Sequence, residues 1–198
     1  MSRTPFRLVR GAALALVLAA APVHSVFAEE PTSIEARAES LKPGEFVWQP
    51  ERAESGEVEV VVSLPDQRAY VYRAGTLIGV TTISSGTKGR ESPLGAFTVL
   101  EKKVFHRSNR YNDAPMPHMQ RLNWYGIALH AGEIPGYPAS HGCVRLPSKF
   151  AKLLYGATSV GTRVVLIDLP VESTEEALQI ARLQPLARTA GGAAGAAL

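Results

Sequence analysis

The chain has 198 residues, enough for one domain with appendages. Its formal charge of +3 is carried by Arg3, Arg7 and Arg10 at the N-terminus: subtracting these three from 21 basic residues leaves 18, equal to the 18 acidic residues, which all come later. That balance excludes a basic nucleic-acid-binding surface as the organising feature, and a single cysteine excludes an internal disulfide.

Residues 1–28 read as a secretory signal peptide. The three arginines form its positive start, GAALALVLAAAPV its apolar core, and Val26-Phe27-Ala28 places small residues where a signal peptidase reads. The apolar run falls short of the roughly 20 residues that a spanning helix needs. Export with no stable membrane insertion after cleavage is therefore expected, retention as an N-terminal anchor being the alternative. Residues 29–56 are charged and turn-rich, lack sustained periodicity and read as a linker, with Phe46, Val47 and Trp48 as a short strand docked on the domain.

From Glu57 the texture becomes β. VEVVVSL, RAYVYR and TLIGVTTISSG predict a meander of antiparallel hairpins, with turns at Pro65-Asp66-Gln67 and Ala74-Gly75. GAFTVLEKKVF predicts a further strand. The polar stretch HRSNRYNDAPMPHMQR predicts a long connection, of the kind that serves as a lid or binding loop. LNWYGIALH predicts a strand ending at His130, and a Gly/Pro-rich loop then leads to Cys143. In SKFAKLLYGA, Phe150, Leu153 and Leu154 share a helical face and Ser148 is placed to cap it. TRVVLIDL predicts a final buried strand. Residues 170–198 hold an amphipathic helix, STEEALQIARLQ, and a flexible tail.

The stretch HAGEIPGYPASHGCVRLP carries the chemistry. A lone cysteine in an exported chain is an inert buried thiol, an intermolecular bridge or a reactive group. A thiol attacks as thiolate, and its free pKa near 8.5 leaves only a few per cent ionised at neutral pH. An imidazole that takes the proton removes this obstacle. His130 ends a strand, and the Gly/Pro-rich loop after it can fold back to bring Cys143 beside it. Gly142 lets a substrate approach the backbone, and consecutive N–H groups at a sharp turn can face a developing oxyanion. The spacing of His130, His141 and Cys143 matches no zinc pattern. His106 and His118 read as surface histidines. Tyr111, Met116, Trp124 and Tyr125 read equally as groove-lining or as core residues.

Ser140-His141-Gly142-Cys143-Val144-Arg145, with His130 upstream, resembles the signature of the L,D-transpeptidase catalytic domain (YkuD-type). Ser92-Pro93-Leu94-Gly95-Ala96-Phe97, Ala114-Pro115-Met116-Pro117 and Gly161-Thr162-Arg163-Val164 resemble further elements of that family in the expected order, so the resemblance covers about residues 57–169. It implies a mainly β, sandwich-like fold with one short helix after the cysteine, supplemented here by the C-terminal helix. It also implies Cys143 as nucleophile, His130 as general base held by the carbonyl of Ala131, and His141 and Ser140 supporting the turn. Backbone N–H groups of Gly142 and Cys143 become oxyanion donors, and Arg145, Met116 and Tyr125 become substrate contacts. Ala131 departs from the glycine that often follows the histidine, but a main-chain role survives the change. The implied partner is the peptidoglycan stem peptide, with no metal or organic cofactor, in the periplasm. Hydrolysis or wall-to-protein attachment on the same fold, and a non-catalytic wall-binding domain, are the alternatives.

Overall fold

Runs of β-branched residues in the middle of the chain form strands that are covered on both faces. The structure, a computed structural model, describes residues 33–186 together with Met1, so the segment read as a signal peptide and the one read as a C-terminal tail lie outside the described residues. In chain order the first elements are α1 (Ile34–Glu39), β1 (Phe46–Trp48), β2 (Val58–Ser63), β3 (Arg68–Arg73), β4 (Thr76–Thr82) and β5 (Gly95–Thr98). They are followed by β6 (Glu101–Lys103), β7 (Met119–Arg121), β8 (Ala128–Ala131), β9 (Val144–Leu146), α2 (Ser148–Ala157), β10 (Arg163–Ile167) and α3 (Thr174–Leu183).

Two sheets result. The first runs β1-β4-β3-β2-β10-β5 and the second β6-β7-β8-β9. The β2–β3–β4 meander is antiparallel as expected, while β10 enters parallel to β2. Alternation along the strands divides the apolar residues between two cores. Val60, Val62, Val164 and Leu166 join Leu129, Val144, Leu146 and Phe150 between the sheets and under α2. Val61, Val165 and Ile167 face the other way, where Ile34 and Ala38 of α1 and Ala177, Leu178 and Ala181 of α3 cover them. A strand buried on both faces is apolar at successive positions, which explains the runs VVV and VVLI. This mainly β, sandwich-like arrangement is the expected fold class.

Four local expectations are corrected. The segment 95–105 is not one strand: at Val99 and Leu100 the chain leaves the first sheet for the second, Val99 N–H bonding to Thr162 and Leu100 N–H to Arg121. Residues 122–127 form a turn rather than strand, because the Asn123 side-chain oxygen accepts the N–H groups of Tyr125 (2.9 Å) and Ile127 (3.1 Å). Ser148 lies inside the first turn of α2 instead of capping it; Pro147 is the cap, and its side chain has no oxygen to accept the N–H groups of the first turn. The segment read as a linker is ordered from Ser33 onward: Ser33 caps α1 by accepting Ala36 N–H at 3.1 Å, and β1 pairs with β4.

Ile34 is 1 % exposed against the outer face of the first sheet. Ile34→Ala is expected to cost about 2–5 kcal/mol, read as a lower urea midpoint with an unchanged slope. An unchanged midpoint would mean that α1 contributes nothing to the folded domain.

Candidate active site

Parallel pairing of β8 with β9 assembles the site. The register Leu129↔Val144 and His130↔Arg145 sets Cys143, one residue before β9, abreast of Ala128. Side chains alternate, so Leu129, Val144 and Leu146 enter the core while Ala128, His130, Cys143 and Arg145 share the opposite face. Strand spacing and rise put the backbones of His130 and Cys143 about 8 Å apart on that face, within reach of their side chains. All four residues line a cleft of about 500 Å³. Met116, buried beside Met119, Ala128 and Cys143, forms part of its apolar floor.

His130 is buried, and its Nδ1 lies 2.8 Å from the carbonyl oxygen of Ala131. A carbonyl only accepts, so Nδ1 carries the proton and Nε2 is left as the basic atom of the neutral ring. Burial pushes the His130 pKa down to about 4; the Ala131 carbonyl opposes this, and Arg145 and His106 add to it. The half-buried Cys143 donates its thiol hydrogen to the carbonyl of Gly126 at 3.3 Å. Burial raises its pKa, partly offset by a hydrogen bond from the backbone of Ala128 and by the charges of Arg145 and Arg121. Both shifts favour uncharged forms. At neutral pH the resting pair is thiol and imidazole.

The turn before β9 is held from several sides. Gly142 has φ +109°, a conformation that a side chain disfavours, and a Cβ there would also come within 3.0 Å of Ile127. Ser140 is buried; its hydroxyl donates to the Cys143 carbonyl and accepts the Gly142 N–H at 3.1 Å. The Gly142 N–H is thus engaged inside the turn. Ser92 ties the turn to the loop after β4, donating to the Gly142 carbonyl and accepting Gly86 N–H, each at 2.9 Å.

The long connection between β6 and β7 touches this turn at one point and the 122–127 turn at another. The ring of Tyr111 stacks on that of His141, with centroids 4.5 Å apart. Arg110 donates to the Tyr125 carbonyl and packs along Gly126, the residue that receives the thiol. His141 is exposed, and slight desolvation, then Arg90 and Arg145, hold its pKa below the ordinary value. Arg145 lies in the cleft along Gly132. His106 also lines the cleft, whereas His118 packs edge-on against Tyr155 at 5.7 Å. Trp124 and Tyr125 are not core residues, being 70 % and 66 % exposed, and they stand outside the lining of the cleft. Gly126, Arg110 and Ser92 are the contacts that motif reading did not assign. Among the described residues no group of three or more His, Cys, Asp or Glu side chains is placed to hold a metal ion, and no helix is long and apolar enough to cross a membrane.

A cysteine at the entry to one strand and a histidine on the parallel strand beside it, sharing one face of a mixed β fold, make up a candidate thiol–imidazole site. Residues 57–166 match the L,D-transpeptidase catalytic domain (YkuD), and the chain belongs to that family. It is similar to the probable L,D-transpeptidase YbiS of Escherichia coli K12, 31 % identical over 143 residues that cover 59 % of this chain and 47 % of the relative. The probable L,D-transpeptidase ErfK/SrfK of Salmonella typhimurium is 30 % identical over 143 residues, covering 59 % and 46 %. The chain therefore spans about half the length of these curated relatives. Among solved structures, an L,D-transpeptidase from Stackebrandtia nassauensis superimposes with a TM-score of 0.53 and 30 % identity over 60 % of this chain and 58 % of that one. An L,D-transpeptidase from Mycobacterium tuberculosis, 22 % identical over 56 % of this chain and 57 % of its own, shares the fold with a TM-score of 0.54.

The neutral resting pair sets the pH response of the free protein. With the Cys143 pKa raised and the His130 pKa lowered, the thiolate fraction should climb about tenfold per pH unit through neutrality. Iodoacetamide alkylation, followed by intact mass, is expected to show that slope from pH 6 upward. A rate independent of pH between 5 and 7 would instead reveal a preformed thiolate–imidazolium pair.

Proposed function

We propose that the protein is an exported, periplasmic L,D-transpeptidase acting on peptidoglycan stem peptides. The observation that carries the reading is that Cys143 and His130 share one face of β8–β9 inside a cleft, with Nδ1 of the histidine fixed by Ala131. Cys143 attacks the carbonyl of the third stem residue, a diamino acid, while its proton passes to Nε2 of His130. The same proton then goes to the departing amine of the terminal D-alanine, leaving a thioester on Cys143. The side-chain amine of the third residue in a second stem gives its proton to His130 and displaces the sulfur. The product is a cross-link between third residues.

Because the resting pair is neutral, proton transfer belongs to the encounter with the donor. A peptide entering the cleft displaces water, and the thiol turns from the Gly126 carbonyl toward Nε2 as it attacks. The N–H of Cys143 is the oxyanion donor assigned here, since that of Gly142 is held by Ser140. Arg145, whose charge stands beside both reacting groups, receives a substrate carboxylate through its planar fork. No step calls on a metal or organic cofactor.

A carbapenem presents a strained carbonyl in place of the donor amide. It is expected to add once to the intact protein and not to Cys143→Ala, as read by mass spectrometry; equal adducts on both proteins would refute Cys143 as nucleophile. With stem tetrapeptide, cross-linked product indicates amine acceptance, and free tripeptide alone indicates hydrolysis. His130→Ala is expected to slow acylation about 10²-fold or more near neutral pH. Partial recovery is expected at higher pH, as the thiol ionises unaided, and its absence would assign His130 a purely structural role.

A further inference from the structure

Trp124, an exposed aromatic packed on the cleft-lining Arg121, is left unused by the proposed reaction. It is 70 % exposed, yet it is not a loose side chain on a loose loop. Its turn is closed by Leu122 N–H bonding to the Ile127 carbonyl at 2.8 Å and by the two N–H groups that Asn123 accepts. Arg121 lies over the indole at 5.3 Å, and Arg121 is itself fixed by a 2.7 Å ion pair with Glu101. One side of the ring is thus backed by an immobilised cation, and most of the rest faces solvent. A rigidly presented aromatic surface of this kind loses little conformational freedom on binding.

The surroundings select the ligand. Trp124 is flanked by Asn123 and Arg121 and followed by a second exposed aromatic, Tyr125, whose carbonyl Arg110 holds, a pair of rings among polar groups rather than a broad aliphatic patch. A lipid or a protein partner would need a broader apolar area. A pyranose presents an apolar C–H face for the ring and hydroxyl and acetamido groups for polar neighbours. Position agrees with this. Trp124 is two residues before Gly126, whose carbonyl lies 3.3 Å from the Cys143 sulfur. Two residues of chain and an indole place the ring on the order of 10 Å from the nucleophile. A stem peptide runs three residues from the attacked carbonyl back to its sugar, also about 10 Å when extended.

We infer that Trp124 is a sugar-binding platform, which holds the N-acetylated sugar bearing the donor stem while the third residue of that stem lies at Cys143. The inference rests on the stem-peptide reading of the cleft and deepens it: the donor is glycan-linked peptide in preference to free peptide. Trp124 touches no reacting atom. It adds affinity for the sugar and leaves turnover of the bound peptide unchanged.

The test uses the full chain carrying Cys143→Ala, so that binding is measured without reaction. Calorimetric titration compares a disaccharide-tetrapeptide with the same tetrapeptide lacking sugar. The sugar-bearing ligand is expected to bind about fivefold tighter. Trp124→Ala should remove that advantage and Trp124→Phe should keep part of it, both leaving the affinity for free tetrapeptide unchanged, which also shows that the variants fold. Equal binding of the two ligands, or a sugar advantage that survives Trp124→Ala, would overturn the platform alone. Binding of neither ligand would sink the stem-peptide reading along with it.

Discussion

The register between β8 and β9 is the constraint on which the site depends. Cys143 and His130 are brought to one face by main-chain pairing of Leu129 with Val144 and of His130 with Arg145. Because side chains alternate, a slip of one residue would turn the cysteine into the core and a valine into the cleft. The core prevents that slip: Leu129, Val144 and Leu146 are buried against Phe150 of α2 and the strands of the first sheet. Packing between the sheets is therefore what sets the geometry of the reacting pair. The loop after β4 braces the same turn through Ser92 and through the pairing of Ser84 with Arg145.

The sequence revealed side-chain chemistry and strong periodicity, and it was silent about main-chain contacts. The β2–β4 meander was legible because β-branched runs alternate with turn residues. The Ser-His-Gly-Cys run with its upstream histidine marked the residues that the structure brings into one cleft. The break at Val99 and Leu100 was hidden, since both are apolar and only their hydrogen-bond partners, Thr162 and Arg121, show that the strand changes sheets. Trp124 and Tyr125 favour strand by propensity, yet Asn123 folds them into a turn, a local capture that propensity does not register. In α1 the apolar positions Ile34 and Ala38 are the two buried residues in an otherwise charged segment, too few to show a helical stripe. The carbonyl of Gly126 has no side-chain signature. Nor could composition show that Ser140 would occupy the Gly142 N–H.

A thiol and an imidazole that both rest uncharged have low intrinsic reactivity. Desolvation disfavours both thiolate and imidazolium, so small oxidants and electrophiles meet a thiol. In the proposed reaction, a substrate carboxylate meeting Arg145 and a carbonyl meeting the sulfur would change the local field as the substrate binds. The Gly126 carbonyl and the Arg110 contact beside it give the sulfur a defined parking position until then.

The helices α1 and α3 lie on one side of the first sheet, and the cleft opens on the far side of the second. Both ends of the described fold therefore depart from the back of the catalytic face. Chain continuing from either end would leave the mouth of the cleft unobstructed.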